Sequence, residues 1–159
     1  MGIEIERKFL VIDDRWRSEI RRSRAMEQGY LSNEIALAVR VRVVGDQALL
    51  TIKGAARGLT RSEFEYEIPI EDARQMLDQF CGDRRIVKVR HEVKVGDHLW
   101  EIDVFDGNNR GLVVAEVELE GEQEEVEIPD WVGQEVTGDP RFLNARLVEE
   151  PYLSWEGDR

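Results

Sequence analysis

The sequence predicts an α+β domain that is mainly β: seven or eight antiparallel strands in a closed or nearly closed sheet, with two or three short helices. Two observations predict it. Apolar and charged residues alternate with a period of two through most of the chain, while 3.6-residue spacing is confined to short stretches. Glycine-bearing turns separate the alternating runs at hairpin distances. The 159 residues suit one domain, 1–159, large enough to bury a core.

The first run, Ile3 to Val11, sends Ile3, Ile5, Phe9 and Val11 one way and Glu4, Glu6, Lys8 and Leu10 the other, with Arg7 the one charge on the apolar side. Asp13 to Arg22, where Trp16 and Ile20 stand four apart behind Asp13 and Asp14, predicts a short amphipathic helix. A strand follows over Arg24 to Leu31, with Gln28 and Tyr30 on one face. Another over Asn33 to Val44 opposes Ala36, Ala38, Arg40 and Arg42 to Leu37, Val39, Val41 and Val43. The Gly45-Asp46 turn leads into Ala48 to Lys53, and the loop Gly54 to Gly58 into Arg61 to Ile68, which sets Arg61, Glu63, Glu65 and Glu67 against Ser62, Phe64, Tyr66 and Ile68. After Pro69 the period changes, and Ala73, Met76, Leu77 and Phe80 form a helical stripe ending near Gly82. Three further strands are predicted: Ile86 to Val95, carrying Lys88, Arg90, Glu92 and Lys94; His98 to Phe105, with Glu101 and Asp103; and Leu112 to Glu120, with Glu116, Glu118 and Glu120. Asp139-Pro140 opens a C-terminal helix bearing Phe142, Leu143 and Leu147.

Composition narrows the function. With 22 basic and 34 acidic residues the formal charge is −12, so the whole-molecule field repels nucleic-acid phosphate, and no nucleic-acid partner is expected. No apolar run approaches a membrane span and no leader pattern opens the chain, which predicts a soluble cytoplasmic protein with no membrane association. Cys81 is the single cysteine and reads as a small apolar residue. His91 and His98 fall on the faces opposite the charged ones and read as structural.

The charged strand faces carry the argument further. An antiparallel sheet ordinarily turns such faces to water. Here they segregate by sign: Arg40 and Arg42 are purely basic, Glu116, Glu118 and Glu120 purely acidic. Stacking like charges across strands is costly unless a ligand or metal neutralises them. A sheet closed with these faces inward would gather Lys8, Arg40, Arg42, Lys53, Arg61, Lys88, Arg90 and Lys94 with Glu4, Glu6, Glu63, Glu65, Glu101, Asp103, Glu116 and Glu118. Polyphosphate with a hard divalent metal satisfies both signs, and such a lumen must be wet. The outward Val, Ile and Phe residues exceed what three short helices cover, which predicts a homodimer.

Glu4-Ile5-Glu6-Arg7-Lys8 resembles the Glu-x-Glu-x-Lys signature of the CYTH superfamily, the triphosphate tunnel metalloenzymes. That superfamily includes class IV adenylate cyclases and thiamine, fungal-type RNA and inorganic triphosphatases. Arg40-x-Arg42, Thr51-Ile52-Lys53-Gly54, Arg61-x-Glu63-x-Glu65, Arg90, Asp103 and Glu116-x-Glu118 follow in order, so the resemblance spans residues 4 to 118, and the Asp139 to Leu147 helix is similar to the family's C-terminal helix. It implies a closed eight-stranded antiparallel β-barrel, the triphosphate tunnel. By resemblance Glu4, Glu6, Glu116 and Glu118 are metal ligands for Mg²⁺ or Mn²⁺, with Glu63 or Glu65, which the pattern does not separate, completing a second cation site. Lys8, Arg40, Arg42, Lys53 and Arg90 bind the triphosphate, Lys88, Arg61 and Lys94 are further candidates, and Asp103 orients a basic side chain. Tyr30 matches the tyrosine that pairs with the lysine matching Lys53 as a catalytic dyad. A lysine crowded by other cations has a lowered pKa and could take a proton from water.

The short chain has no insertion that would hold a purine or thiazolium ring. The expected activity is therefore metal-dependent hydrolysis of tripolyphosphate, as in the short bacterial inorganic triphosphatases. Thiamine or nucleoside triphosphatase comes next, which a tryptophan at the tunnel mouth would favour. Class IV adenylate cyclase and a non-catalytic polyphosphate-binding module follow.

Overall fold

The structure, a computed structural model, describes residues 2–34 and 36–155. Among these residues nine strands form one antiparallel sheet: β1 (Ile3–Val11), β2 (Ile20–Glu34), β3 (Leu37–Val44), β4 (Gln47–Gly54), β5 (Thr60–Ile68), β6 (Ile86–Val95), β7 (His98–Phe105), β8 (Val113–Glu118) and β9 (Val132–Glu135). Their order is β5-β4-β3-β2-β6-β7-β8-β1-β9, and a pairing of β5 with β1 closes an eight-stranded barrel. The closure is short, with Ile3 opposite Ser62 and Ile5 opposite Thr60. Farther along β1, Glu6 to Leu10 pair with β8, while Phe9 and Val11 meet β9. The tight turns at Gly45 and Gly96 put glycine first, at φ +61° and +60°, as a type II′ hairpin turn requires.

The barrel is turned inside out relative to an ordinary half-buried sheet, because its apolar cores lie largely outside the wall. Phe9, Trp16, Val93, Trp100, Ile102, Val117 and Trp131 pack together on the outer faces of β1 and β6 to β8. Helix α1 (Ile70–Met76), continued by a wider turn over Leu77–Cys81, covers Val41, Val43 and Ala48 with Ala73, Leu77 and Cys81. A third cluster joins Ile86, Phe105 and Val114 to Phe142 and Leu147. Ile86, Phe105 and Val114 share strand faces with Lys88, Asp103 and Glu116, so this cluster stoppers one end of the interior.

Several local expectations change. The 13–22 helix is one 3-10 turn, Arg15–Glu19, because Ile20 already begins the 15-residue strand β2. Trp16 keeps the role its spacing implied and is fully buried. Asn33 and Glu34 end β2 rather than starting the next strand, and a bulge between Tyr30 and Ser32 resets the register. The stripe after Pro69 is helical to Gly82, whose φ is +60°, but Phe80 is 61% exposed and not part of the core. The C-terminal helix is two pieces: a 3-10 turn over Pro140–Phe142, capped by the Asp139 carboxylate, and α2 (Asn144–Leu147). Leu143 between them is extended, with φ −69° and ψ 132°. Strand β9 was unexpected. His91 and His98 lie outside the barrel as read, His91 against Trp16 and Ser23 and His98 against Glu124.

Candidate active site

Strand alternation places a lattice of charge inside the barrel. The inward residues meet directly across neighbouring strands: Glu4 opposite Arg61, Lys8 opposite Glu116, Glu116 opposite Glu101, Arg90 opposite Asp103, Tyr30 opposite Arg40, Arg40 opposite Thr51, and Lys53 opposite Glu63. They enclose a cavity of about 330 Å³. It is lined by Glu4, Glu6, Lys8, Tyr30, Arg40, Arg42, Lys53, Arg61, Glu63, Glu65, Lys88, Arg90, Glu116 and Glu118, all of them candidates from sequence. Asp103, 1% exposed, lies behind the lining. Lys94 is the exception. It sits near the outer end of β6, exposed, and does not line the cavity.

Asp103 is the anchor of the basic wall. Arg90 grips it through Nε at 2.7 Å and Nη2 at 2.9 Å, and Lys88 Nζ donates to it at 2.7 Å. Burial opposes the Asp103 charge, yet Arg90 and Lys88 overcome it and hold the carboxyl far below its usual range. Burial also depresses Lys88 to about 7, which Asp103 only partly counters while Arg90 and Arg42 add to the fall. Arg42 is pushed down to about 9 by burial, with Arg40 and Arg90 alongside. These cations are held together against their mutual repulsion, the arrangement a bound polyanion relieves.

The acids gather along β1 and β8. Lys8 lies 3.6 Å from Glu116 and donates to the Phe142 carbonyl at 3.2 Å. Burial works against the Glu116 charge, but Lys8 and Arg90 outweigh it and hold this carboxyl at about 2. Glu6 has the opposite fate: burial, then the Glu116 and Glu4 charges, push its carboxyl well above the ordinary range. Lys53 Nζ sits 2.9 Å from Glu4 and 3.9 Å from Glu63. The expectation that other cations crowd Lys53 is therefore corrected; its ammonium pairs with carboxylates, and the cation crowded by cations is Lys88.

A divalent cation fits these residues by donor chemistry. All the candidate ligands are hard carboxylate oxygens, Glu6 is a half-buried carboxyl whose charged form a nearby cation would favour, and the Lys53 ammonium already stands where Glu4 and Glu63 accept a cation. Among the described residues no three acid, His or Cys side chains converge as a finished coordination sphere. Magnesium keeps several of its waters and asks for only one or two carboxylates.

Four functional positions escaped the sequence reading or received no role in it. Gln28, fully buried, accepts from Arg42 Nε at 2.7 Å. Asn144 accepts from Lys88 at 2.9 Å and from Gln28 at 3.1 Å. Arg24 and Glu101 line the cavity 3.6 Å apart, with Arg24 also bonded to Glu92 at 3.0 Å. The same-face pairing of Gln28 with Tyr30 was the available signal for Gln28; Asn144 had none. Tyr30 OH accepts from Gln28 Nε2 at 3.4 Å.

A barrel with an inward lattice of acids and bases defines a class of polyphosphate-binding, metal-dependent tunnels, and comparison with known proteins agrees. The CYTH domain model matches residues 2–145, and the chain belongs to that family. It is 44% identical over 156 residues to an inorganic triphosphatase of Acetivibrio thermocellus, covering 98% of this chain and 99% of that one. It is also 35% identical over 149 residues to an inorganic triphosphatase of Nitrosomonas europaea, covering 91% and 96%. The solved structure of the inorganic triphosphatase NE1496 superposes with a TM-score of 0.65 at 33% identity, over 97% of this chain and 100% of that one. Membership in the family implies dependence on a divalent metal.

Proposed function

We propose that the chain is an inorganic triphosphatase that hydrolyses tripolyphosphate to pyrophosphate and phosphate within the barrel, with Mg²⁺ or Mn²⁺. The observation that carries this reading is the lining itself: lysines and arginines in nearly equal number with glutamates, and Tyr30 its single aromatic side chain among the described residues. Trp16, Trp100 and Trp131 are buried elsewhere, and Trp155 meets Phe142 and Tyr152 edge to face. With no tryptophan among the described residues that line the cavity, a thiamine or nucleoside ester ranks second, class IV cyclisation third and binding without turnover last.

In this reading Lys8, Arg40, Arg42, Lys88, Arg90 and Arg61 hold the phosphoryl oxygens. Arg61 and Arg40 each carry a buried Nε with no protein acceptor, a donor available to a ligand. Asp103 positions Lys88 and Arg90. Glu4, Glu6, Glu116 and Glu118, with Glu63 or Glu65, would hold the metal, which neutralises charge on the transferring group when bound. Water attacks the terminal phosphorus in line, the bond to the bridging oxygen breaks, and pyrophosphate leaves. Lys53 takes the water's proton and the Tyr30 hydroxyl orients that water. To act as that base Lys53 must leave Glu4 and Glu63, the carboxylates that would hold the cation, and release its own ammonium proton to solvent before it takes one from the attacking water. Positioning and electrostatics supply most of the rate.

The reading includes a cytoplasmic homodimer. Among the described residues no helix is long and apolar enough to cross a membrane. Phe64 and Tyr66, 49% and 57% exposed, stand on the outer face of β5, away from α1 on β3 and β4. A monomeric mass in light scattering would exclude the dimer.

The deciding assay offers tripolyphosphate, thiamine triphosphate and ATP separately with Mg²⁺ or Mn²⁺ and follows phosphate and cyclic AMP. Phosphate from tripolyphosphate, abolished by chelation, supports the reading. Turnover of an organic ester alone, or cyclic AMP, overturns the substrate. A Lys53→Ala variant with the wild-type rate would overturn the role given to Lys53.

A further inference from the structure

A partly buried chain of hydrogen bonds ties the C-terminal segment to the cavity, with Arg42 at one end and Lys88 at the other. Arg42 has no acceptor to offer, so the atom it meets at 2.7 Å must be the Gln28 oxygen. That turns Gln28 Nε2 toward Asn144, 3.1 Å away, and requires Asn144 to present its oxygen. Lys88 agrees with that orientation: its Nζ lies 2.9 Å from Asn144 Oδ1 and, as an ammonium, can only donate to it. Both lone pairs of Oδ1 are thereby used. The Asn144 Nδ2 group, with two N–H donors, is left outside this chain of bonds, and among the described residues no protein acceptor engages it. Asn144 lines the cavity.

Resting on the triphosphatase reading, we propose that Asn144 contacts substrate: its Nδ2 donates to a phosphoryl oxygen of the bound chain while its Oδ1 holds Lys88 and, through Gln28, Arg42. The extended Leu143 separates α2 from the preceding turn, and α2 packs against β2, which carries Gln28. A neutral amide suits this place where another cation would not. Lys88, Arg42 and Arg90 already share the wall, and a fourth buried charge beside them would add repulsion in a medium that screens poorly. Asn144 supplies an anion with a donor at no cost in charge, and it makes substrate affinity depend on how the C-terminal segment is seated.

Asn144→Asp separates the two duties. It keeps an oxygen for Lys88 and Gln28 but exchanges the N–H donors for a second, negatively charged oxygen. The expected result is a KM for tripolyphosphate raised about tenfold or more with kcat within about twofold of wild type, and a smaller rise in Tm on adding tripolyphosphate. The ligand-free Tm should match or exceed that of wild type. Asn144→Ala, which loses both duties, should raise KM and also lower the ligand-free Tm. A wild-type KM in Asn144→Asp overturns the proposal and leaves Asn144 a strut for Lys88. The unaltered protein gives a second readout that needs no folded variant: the Asn144 side-chain amide signal in NMR moves on saturation with tripolyphosphate, and an unmoved signal also overturns the proposal. Wild-type protein that neither binds nor hydrolyses tripolyphosphate would overturn the functional reading first, and this inference with it.

Discussion

Replacing Asp103 by asparagine probes the basic wall at its anchor. The carboxylate is 1% exposed and accepts three charge-assisted bonds, from Lys88 at 2.7 Å and from Arg90 at 2.7 and 2.9 Å. Asparagine keeps the shape but removes the charge, and its NH₂ must face one of the two cations donor to donor. Breaking a buried ion pair from one side costs about 3–5 kcal/mol because the remaining charge is left uncompensated. For a protein of this size each kcal/mol lowers Tm by about 2–4 °C, so the melting temperature should fall by about 6–20 °C. Thermal unfolding followed by circular dichroism, with and without saturating tripolyphosphate, measures it. A polyanion meets the same two cations and replaces part of the missing carboxylate, so the ligand should stabilise the variant more than it stabilises wild type. A loss below about 2 °C, with equal ligand shifts in both proteins, would refute the reasoning.

Three other outcomes follow from the same geometry. The fold lowers Lys88 to about 7 from its ordinary 10.5, so above pH 7 the ligand-free protein holds it mostly neutral while a bound polyanion favours the ammonium. Tripolyphosphate binding should take up a proton there and weaken as pH rises, and calorimetry in buffers of different ionisation heat should find that uptake missing in Lys88→Met. Between about pH 7 and 10.5 the unfolded chain binds this proton more readily than the folded one, so the Lys88 contribution to stability rises with pH across that window. Gly29→Ala would bring a methyl group to 2.5 Å from Cys81 Sγ and 3.0 Å from Leu77, and overpacking of this kind costs about 1–3 kcal/mol by urea unfolding. Adding Cys81→Ala should recover part of that loss. Arg7→Ala breaks the partly exposed outer pair with Glu135, 2.8 Å long, and removes the guanidinium that lies 5.1 Å from the Phe9 ring centre, and should cost about 1–2 kcal/mol with unchanged phosphate release.

The barrel was legible because its strands are regular and its faces unmixed. Glu4, Glu6 and Lys8 on β1, Arg40 and Arg42 on β3, and Glu116 and Glu118 on β8 each declare a face by period alone, and closing the sheet brings them together. What the chain hides are elements too short to show a period. Strand β9 is four residues, Val132 to Glu135, held by its pairing with β1 rather than by alternation. Trp16 and Ile20 have helical spacing, yet one belongs to a 3-10 turn and the other to a strand, because burying Trp16 beneath the sheet and starting β2 satisfy both side chains better than a helix would. Gln28 and Asn144 carry no charge, so no charge pattern marks them; their importance comes from the donor-only groups that tertiary structure sets beside them. The environment of Lys53 is hidden from the sequence for a related reason. Counting inward cations does not show which acids stand nearest: the pairing of β4 with β5 sets Glu63 opposite Lys53, and the closure of β1 against β5 brings Glu4 to it.

The most direct test is a crystal structure with tripolyphosphate and Mn²⁺, collected at a wavelength where manganese scatters anomalously. The account predicts three phosphorus atoms inside the barrel against Lys8, Arg40, Arg42, Lys88 and Arg90, with manganese on the carboxylates of β1 and β8 and Lys53 displaced from Glu4. Phosphate chains bound only on the outer surface, or manganese held away from Glu4, Glu6, Glu116 and Glu118, would contradict it.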